Sequence, residues 1–65
     1  MAILRTWDHC TVEVDGRQVS GSWAIEDGMV RVRTPKGEKA TQIGSHNPTW
    51  LARRLLEELA MEGKA

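Results

Sequence analysis

Residues 13–30, Glu13-Val14-Asp15-Gly16-Arg17-Gln18-Val19-Ser20-Gly21-Ser22-Trp23-Ala24-Ile25-Glu26-Asp27-Gly28-Met29-Val30, carry two Asp-Gly pairs set between β-rich runs. Asp-Gly favours a two-residue type I′ turn, in which both central residues take positive φ. Two such turns predict three consecutive antiparallel strands. Thr34-Pro35-Lys36-Gly37 predicts a third turn, with Pro35 fixing φ and Gly37 taking a positive one. Strands are therefore expected over about 4–14, 17–26, 29–34 and 38–43.

Beyond the last strand the period changes. Leu51, Ala52, Leu55, Leu56 and Leu59 fall on one arc of a helical wheel. Asn47 is placed to cap the first turn, Pro48 suits the first helical position, and Gly63 is a natural stop. These signals predict a helix over about 48–62. The fold class is α+β: a three- to four-stranded antiparallel β-meander packed on one C-terminal amphipathic helix. A lone helix must lay its leucine stripe over one face of the sheet.

Two-residue turns also fix the register, and cross-strand neighbours share a face. The first turn sets Val12 opposite Val19 and Cys10 opposite Gly21. The second sets Ile25 opposite Val30 and Trp23 opposite Val32. Cys10, Val12, Val19, Trp23, Ile25, Val30 and Val32 then form the face that the helix covers. A Lys36-Gly37 turn brings Ile43 opposite Val30 on that face. The other face carries Trp7, Ala24 and Arg31 in one row, His9, Ser22 and Arg33 in the next, then Thr11 and Ser20. With one helix in the chain, this second face stays open.

The chain has 65 residues, which makes one domain, 1–65. A domain of this size buries only about 60% of its unfolded surface, so its stability is marginal. Cys10 is the sole cysteine, which excludes an intrachain disulfide and points to a reducing compartment. No apolar run is long enough for a membrane span or a signal peptide, and a cytoplasmic location is expected. Nine basic and nine acidic side chains cancel. That balance argues against bulk attraction to nucleic acid or an anionic membrane and leaves room for a local basic patch.

Three candidate surfaces remain once the fold is built. Trp7, His9, Arg31 and Arg33 on the open face can bind a nucleic-acid strand or another anion, with rings stacking on Trp7 and guanidinium groups reaching phosphates. The plainer reading lays Trp7 over Ala24 and the stem of Arg31 as a shield for a thin sheet, with Glu13 offsetting the arginines. The loop Gly44-Ser45-His46-Asn47, followed by Arg53 and Arg54, can hold an anion at a helix N-terminus, or Ser45 and Asn47 simply cap it. Trp50 lies off the leucine arc beside Arg54 and Met61. It is either a contact residue for a second copy or another protein, or it folds back over the last strand.

One detail bears on the helix charges. Arg53 precedes Glu57 and Arg54 precedes Glu58, the less favourable i,i+4 order for an isolated helix. Helix stability alone does not select that order; pairing with strand carboxylates is one explanation.

No constellation for catalysis, cofactor or metal stands out. His9 and Cys10 are adjacent in a strand, so their side chains point to opposite faces and cannot share a metal or form a nucleophile pair. Asp15 and Asp27 are explained by their turns. A non-catalytic protein-interaction module is therefore expected, with an unknown protein partner or a weak homodimer, and nucleic-acid binding is the alternative.

The runs 23–32, 37–44 and 51–59 resemble a group of short, uncharacterised bacterial proteins from Proteobacteria. The resemblance spans about residues 10–60. It implies a β-meander with a C-terminal helix and a bacterial cytoplasmic origin, and it brings no activity or ligand. In element order the chain also resembles plant transcription-factor domains and phage-integrase arm-binding domains that lay a sheet on DNA. Those domains are more basic than this chain.

Overall fold

The computed structural model describes residues 7–65, which fold as β1 (Asp8–Val14), β2 (Arg17–Glu26), β3 (Met29–Thr34), β4 (Gly37–Gln42) and α1 (Pro48–Met61). The strands form one antiparallel sheet in the order β1-β2-β3-β4. Helix α1 lies across one face and touches all four strands. Residues 4–6, expected to begin the first strand, lie outside the described residues. Trp7 is described and precedes the strand.

Both Asp-Gly pairs behave as their chemistry requires. Asp15 and Gly16 have φ of 52° and 76°, and Asp27 and Gly28 have 51° and 74°. Positive φ at both central positions gives the twist that joins antiparallel strands tightly. Val14 accordingly pairs with Arg17 and Glu26 with Met29. The cross-strand pairs follow, with Val12 opposite Val19, Cys10 opposite Gly21, Trp23 opposite Val32 and Ile25 opposite Val30.

The third turn differs from the expectation. Thr34 pairs with Gly37, so Pro35 and Lys36 are the central residues. The cause is the Thr34 hydroxyl, which accepts from the Lys36 and Gly37 backbone N–H groups at 3.1 and 3.0 Å. Thr41, not Ile43, therefore stands opposite Val30. A two-residue shift preserves the face. Ile43 still packs against the core, and its N–H donates to the Gly28 carbonyl at 3.0 Å. Gly37 does not have positive φ. It is small for a different reason, since a Cβ there would stand 2.9 Å from the Lys64 Cβ.

In α1 the side chain of Asn47 accepts from the Thr49 and Trp50 N–H groups at 2.8 and 3.2 Å, and Pro48 opens the first turn. Beyond Met61 the chain closes in a Schellman arrangement. Gly63, at φ 76°, donates to Ala60 O and Lys64 to Leu59 O. The carbonyl of Lys64 in turn accepts from the Thr34 hydroxyl, which ties the end of the helix to the β3–β4 turn.

Between the layers sit Cys10, Val12, Val19, Val30 and Val32 from the sheet, with Leu51, Ala52, Leu55, Leu56, Leu59 and Ala60 from α1. Each fully buried leucine contributes about 1.5–3 kcal/mol by leaving water. Gly21 lets the helix approach: an added Cβ would meet Arg33 O at 3.0 Å and Leu56 Cδ1 at 3.1 Å. Trp23 is half-buried against this core. Ile25 was expected inside and is 50% exposed, because α1 leaves its corner of the sheet uncovered. On the helix side of β4, Lys39 pairs with Glu58 at 3.3 Å and with Glu62.

Candidate functional site

Helix α1 is amphipathic, so its two sides have different roles. The leucine arc faces the sheet. Trp50, Arg54, Glu57 and Met61 recur at intervals of four, three and four residues, which at about 100° per residue places them on one outward stripe. Trp50 is 52% exposed and Met61 79%. Trp50 therefore does not fold back into the core.

The Trp50 ring is nonetheless held in place. His46 stacks on it with centroids 5.7 Å apart and 26° between planes. The Arg54 guanidinium lies 5.9 Å from its centroid, at the outer limit of a cation–π contact. Asn47, which caps the helix, fixes the backbone between the two rings. A broad groove of about 720 Å³ runs beside them, lined by Asn47, Thr49, Trp50, Arg53, Arg54 and Glu57. His46, expected only as part of the loop before the helix, belongs to this cluster. Its i,i+4 spacing from Trp50 across the cap is the signal that identifies the pair.

The open sheet face has a different character. Trp7 lies under Arg33, whose guanidinium carbon is 4.5 Å from the ring centroid. The expected row had paired Trp7 with Arg31. Instead Arg31 is drawn to carboxylates: its Nε donates to Glu26 at 3.2 Å and its Nη1 to Glu38 at 2.9 Å. Arg33 stands 3.8 Å from Glu38. The hydrogen bond from Arg31 holds the Glu38 carboxyl below the usual carboxylate range. The charge on this face is thus offset chiefly by Glu26 and Glu38, rather than by Glu13. Ala24, opposite Arg31, is only 4% exposed even though no helix covers it.

His9 and Arg33 flank a shallow hollow of about 470 Å³ with a floor of small residues, Ser20, Gly21 and Ser22, and a rim at Pro35. Of the four residues expected to act together here, Trp7, His9 and Arg33 are grouped around this end of the face. Arg31 is committed to its ion pairs.

The remaining candidates have structural duties. Asn47 satisfies two of the free N–H groups of the helix, and Glu58, which follows Arg54, reaches a strand lysine rather than leaving the helix arginines to strand carboxylates. Arg54 keeps a 3.6 Å contact with Glu58. Cys10 is buried, and burial pushes its thiol pKa up against the opposing field of Arg53. The neutral thiol behaves as a small apolar side chain. Among the described residues no three His, Cys, Asp or Glu side chains converge as a metal site would require, and no helix is long and apolar enough to cross a membrane.

No family model, curated protein or solved structure matches this chain.

Proposed function

We propose that this domain is a non-catalytic protein-interaction module that binds through the outward stripe of α1, with Trp50 as its anchor. The observation that carries this reading is the state of Trp50, half-exposed yet clamped between His46 and Arg54. An aromatic ring of this size offers on the order of 100 Å² of uncovered apolar surface, worth about 2–3 kcal/mol when a partner removes it from water. Its orientation is already set, so little side-chain freedom is lost on binding. Arg54 and Met61 extend the same stripe with residue types enriched at contact surfaces. The resemblance to short bacterial proteins fits a bacterial cytoplasmic setting for such a module.

The test is a comparison of two baits, wild type and Trp50→Ala, in extract of the source cell with quantitative mass spectrometry. The reading expects a protein enriched by wild type and lost with Trp50→Ala, while the unfolding midpoint of the purified variant stays within about 1 kcal/mol of wild type. Equal capture by both baits, or a large loss of stability, would remove the stripe from consideration.

Nucleic-acid binding by the sheet face is the second reading. It is favoured by one observation, the Trp7–Arg33 stack beside the hollow lined by His9, Ser20 and Ser22. Glu26 and Glu38 on the same face weigh against it.

A further inference from the structure

The outward stripe of α1 reads the same in both directions. From Trp50 the steps to Arg54, Glu57 and Met61 are four, three and four residues, and from Met61 backward they are again four, three and four. If two copies lie antiparallel about a two-fold axis between positions 55 and 56, Trp50 of each meets Met61 of the other. Arg54 of each then meets Glu57 of the other. A parallel arrangement would place Trp50 on Trp50, Arg54 on Arg54 and Glu57 on Glu57. Resting on the stripe reading above, we propose that the partner is a second copy of this chain, docked helix to helix in antiparallel fashion.

Charge complementarity selects this occupant. The first turn of α1 has no acidic residue and the last turn no basic one, so its charges run against the helix dipole. Arg53 and Arg54 reinforce the positive end, and Glu57 and Glu58 the negative end. That order is unfavourable for a helix alone. In an antiparallel pair it becomes favourable, because the positive half of each helix lies along the negative half of the other. Glu57 is exposed, and among the described residues no cation stands within ion-pair distance of it. Among the described residues, the one carboxylate paired with Arg54 is Glu58, at 3.6 Å. The chain carries no net charge, so two copies meet without overall repulsion. Met61 supplies a polarisable sulfur for the Trp50 ring, and an isologous interface forms both contacts twice.

The interface is small. A 14-residue helix is about 21 Å long, and one face of it buries well under the roughly 800 Å² per partner of a stable complex. The dimer is therefore weak and in rapid exchange, populated from on the order of 100 μM upward.

Sedimentation equilibrium of the purified protein at low salt, from about 10 μM to about 1 mM, tests the proposal with two charge reversals. Arg54→Glu and Glu57→Arg each weaken self-association by at least about tenfold. The double variant recovers it, and an equimolar mixture of the two single variants associates although neither does alone. A wild type that stays monomeric throughout the range overturns the proposal, as does a double variant or a mixture that fails to recover. Since both positions are exposed, matched unfolding midpoints establish that the variants are folded. These measurements use purified chain alone, so a monomeric wild type that still captures a different protein through Trp50 would end this inference and leave the interaction-module reading intact.

Discussion

Leu56 of the helix and Gly21 of the central sheet meet so closely that a single methyl group on Gly21 would stand 3.1 Å from Leu56 Cδ1. The same methyl would lie 3.0 Å from the backbone carbonyl of Arg33, which has little freedom to retreat. Gly21→Ala is expected to destabilise the domain by about 1–3 kcal/mol through overpacking. Urea unfolding measures this, and an unchanged midpoint would mean that helix and sheet can separate without loss.

Lys39 ties the strand layer to the helix through Glu58 and Glu62. The hydrogen bond from Lys39 lowers the Glu62 pKa, so its contribution is complete above the unfolded value of about 4.3 and disappears as pH falls through the folded value below it. The hydrogen bond to Glu62 raises the Lys39 pKa. Its contribution is complete below the unfolded value of about 10.4 and disappears as pH rises through the higher folded value. Stability is expected to fall at both extremes, modestly because these groups are in part solvated. Lys39→Met should flatten the alkaline fall and reduce the acid one; an alkaline limb of unchanged slope would show that the pair contributes nothing.

The buried Thr34 hydroxyl accepts from the Lys36 and Gly37 N–H groups and donates toward the Lys64 and Gly37 carbonyls. Thr34→Val removes these bonds while keeping the shape. A loss of about 1–3 kcal/mol is expected, and Thr34→Ser should retain most of the stability. If valine is tolerated within about 0.5 kcal/mol in chemical denaturation, Pro35 alone sets the turn.

For the sheet-face reading, binding of a short single-stranded DNA across a salt series is informative. Arg33→Ala should lower the slope of log K against log salt by about one unit. Arg31→Ala should also weaken binding, because it removes a cation that pairs with Glu26 and Glu38 on this face. A parent protein that does not bind at low salt ends that reading.

What could be read before the structure was known follows a physical divide. The Asp-Gly turns and the leucine period depend on local backbone chemistry, and they gave the strand pairing and the helix without help from distant residues. The third turn failed in register because Thr34 acts through its side chain, and the Pro-Lys-Gly pattern alone admits two placements. The exposure of Ile25 depends on where a helix ends in space, which periodicity along the chain does not encode. The same holds for the open face. Arg31, Arg33 and Trp7 were placed on it by alternation, but the choice of Arg33 as the partner of Trp7 was decided by Glu38, a residue of the neighbouring strand.

The position of Lys39 has one more consequence. Strands β1 and β4 are the two borders of the sheet, and each presents a row of backbone groups with no neighbouring strand. Along the row Asp8, Trp23, Val32, Lys39, the border residues on the helix side are both charged. A strand added along this row would have to place its side chain beside Asp8 at one border, or beside Lys39 and its partners Glu58 and Glu62 at the other. Along this row, charged side chains at both borders disfavour the addition of an apolar strand.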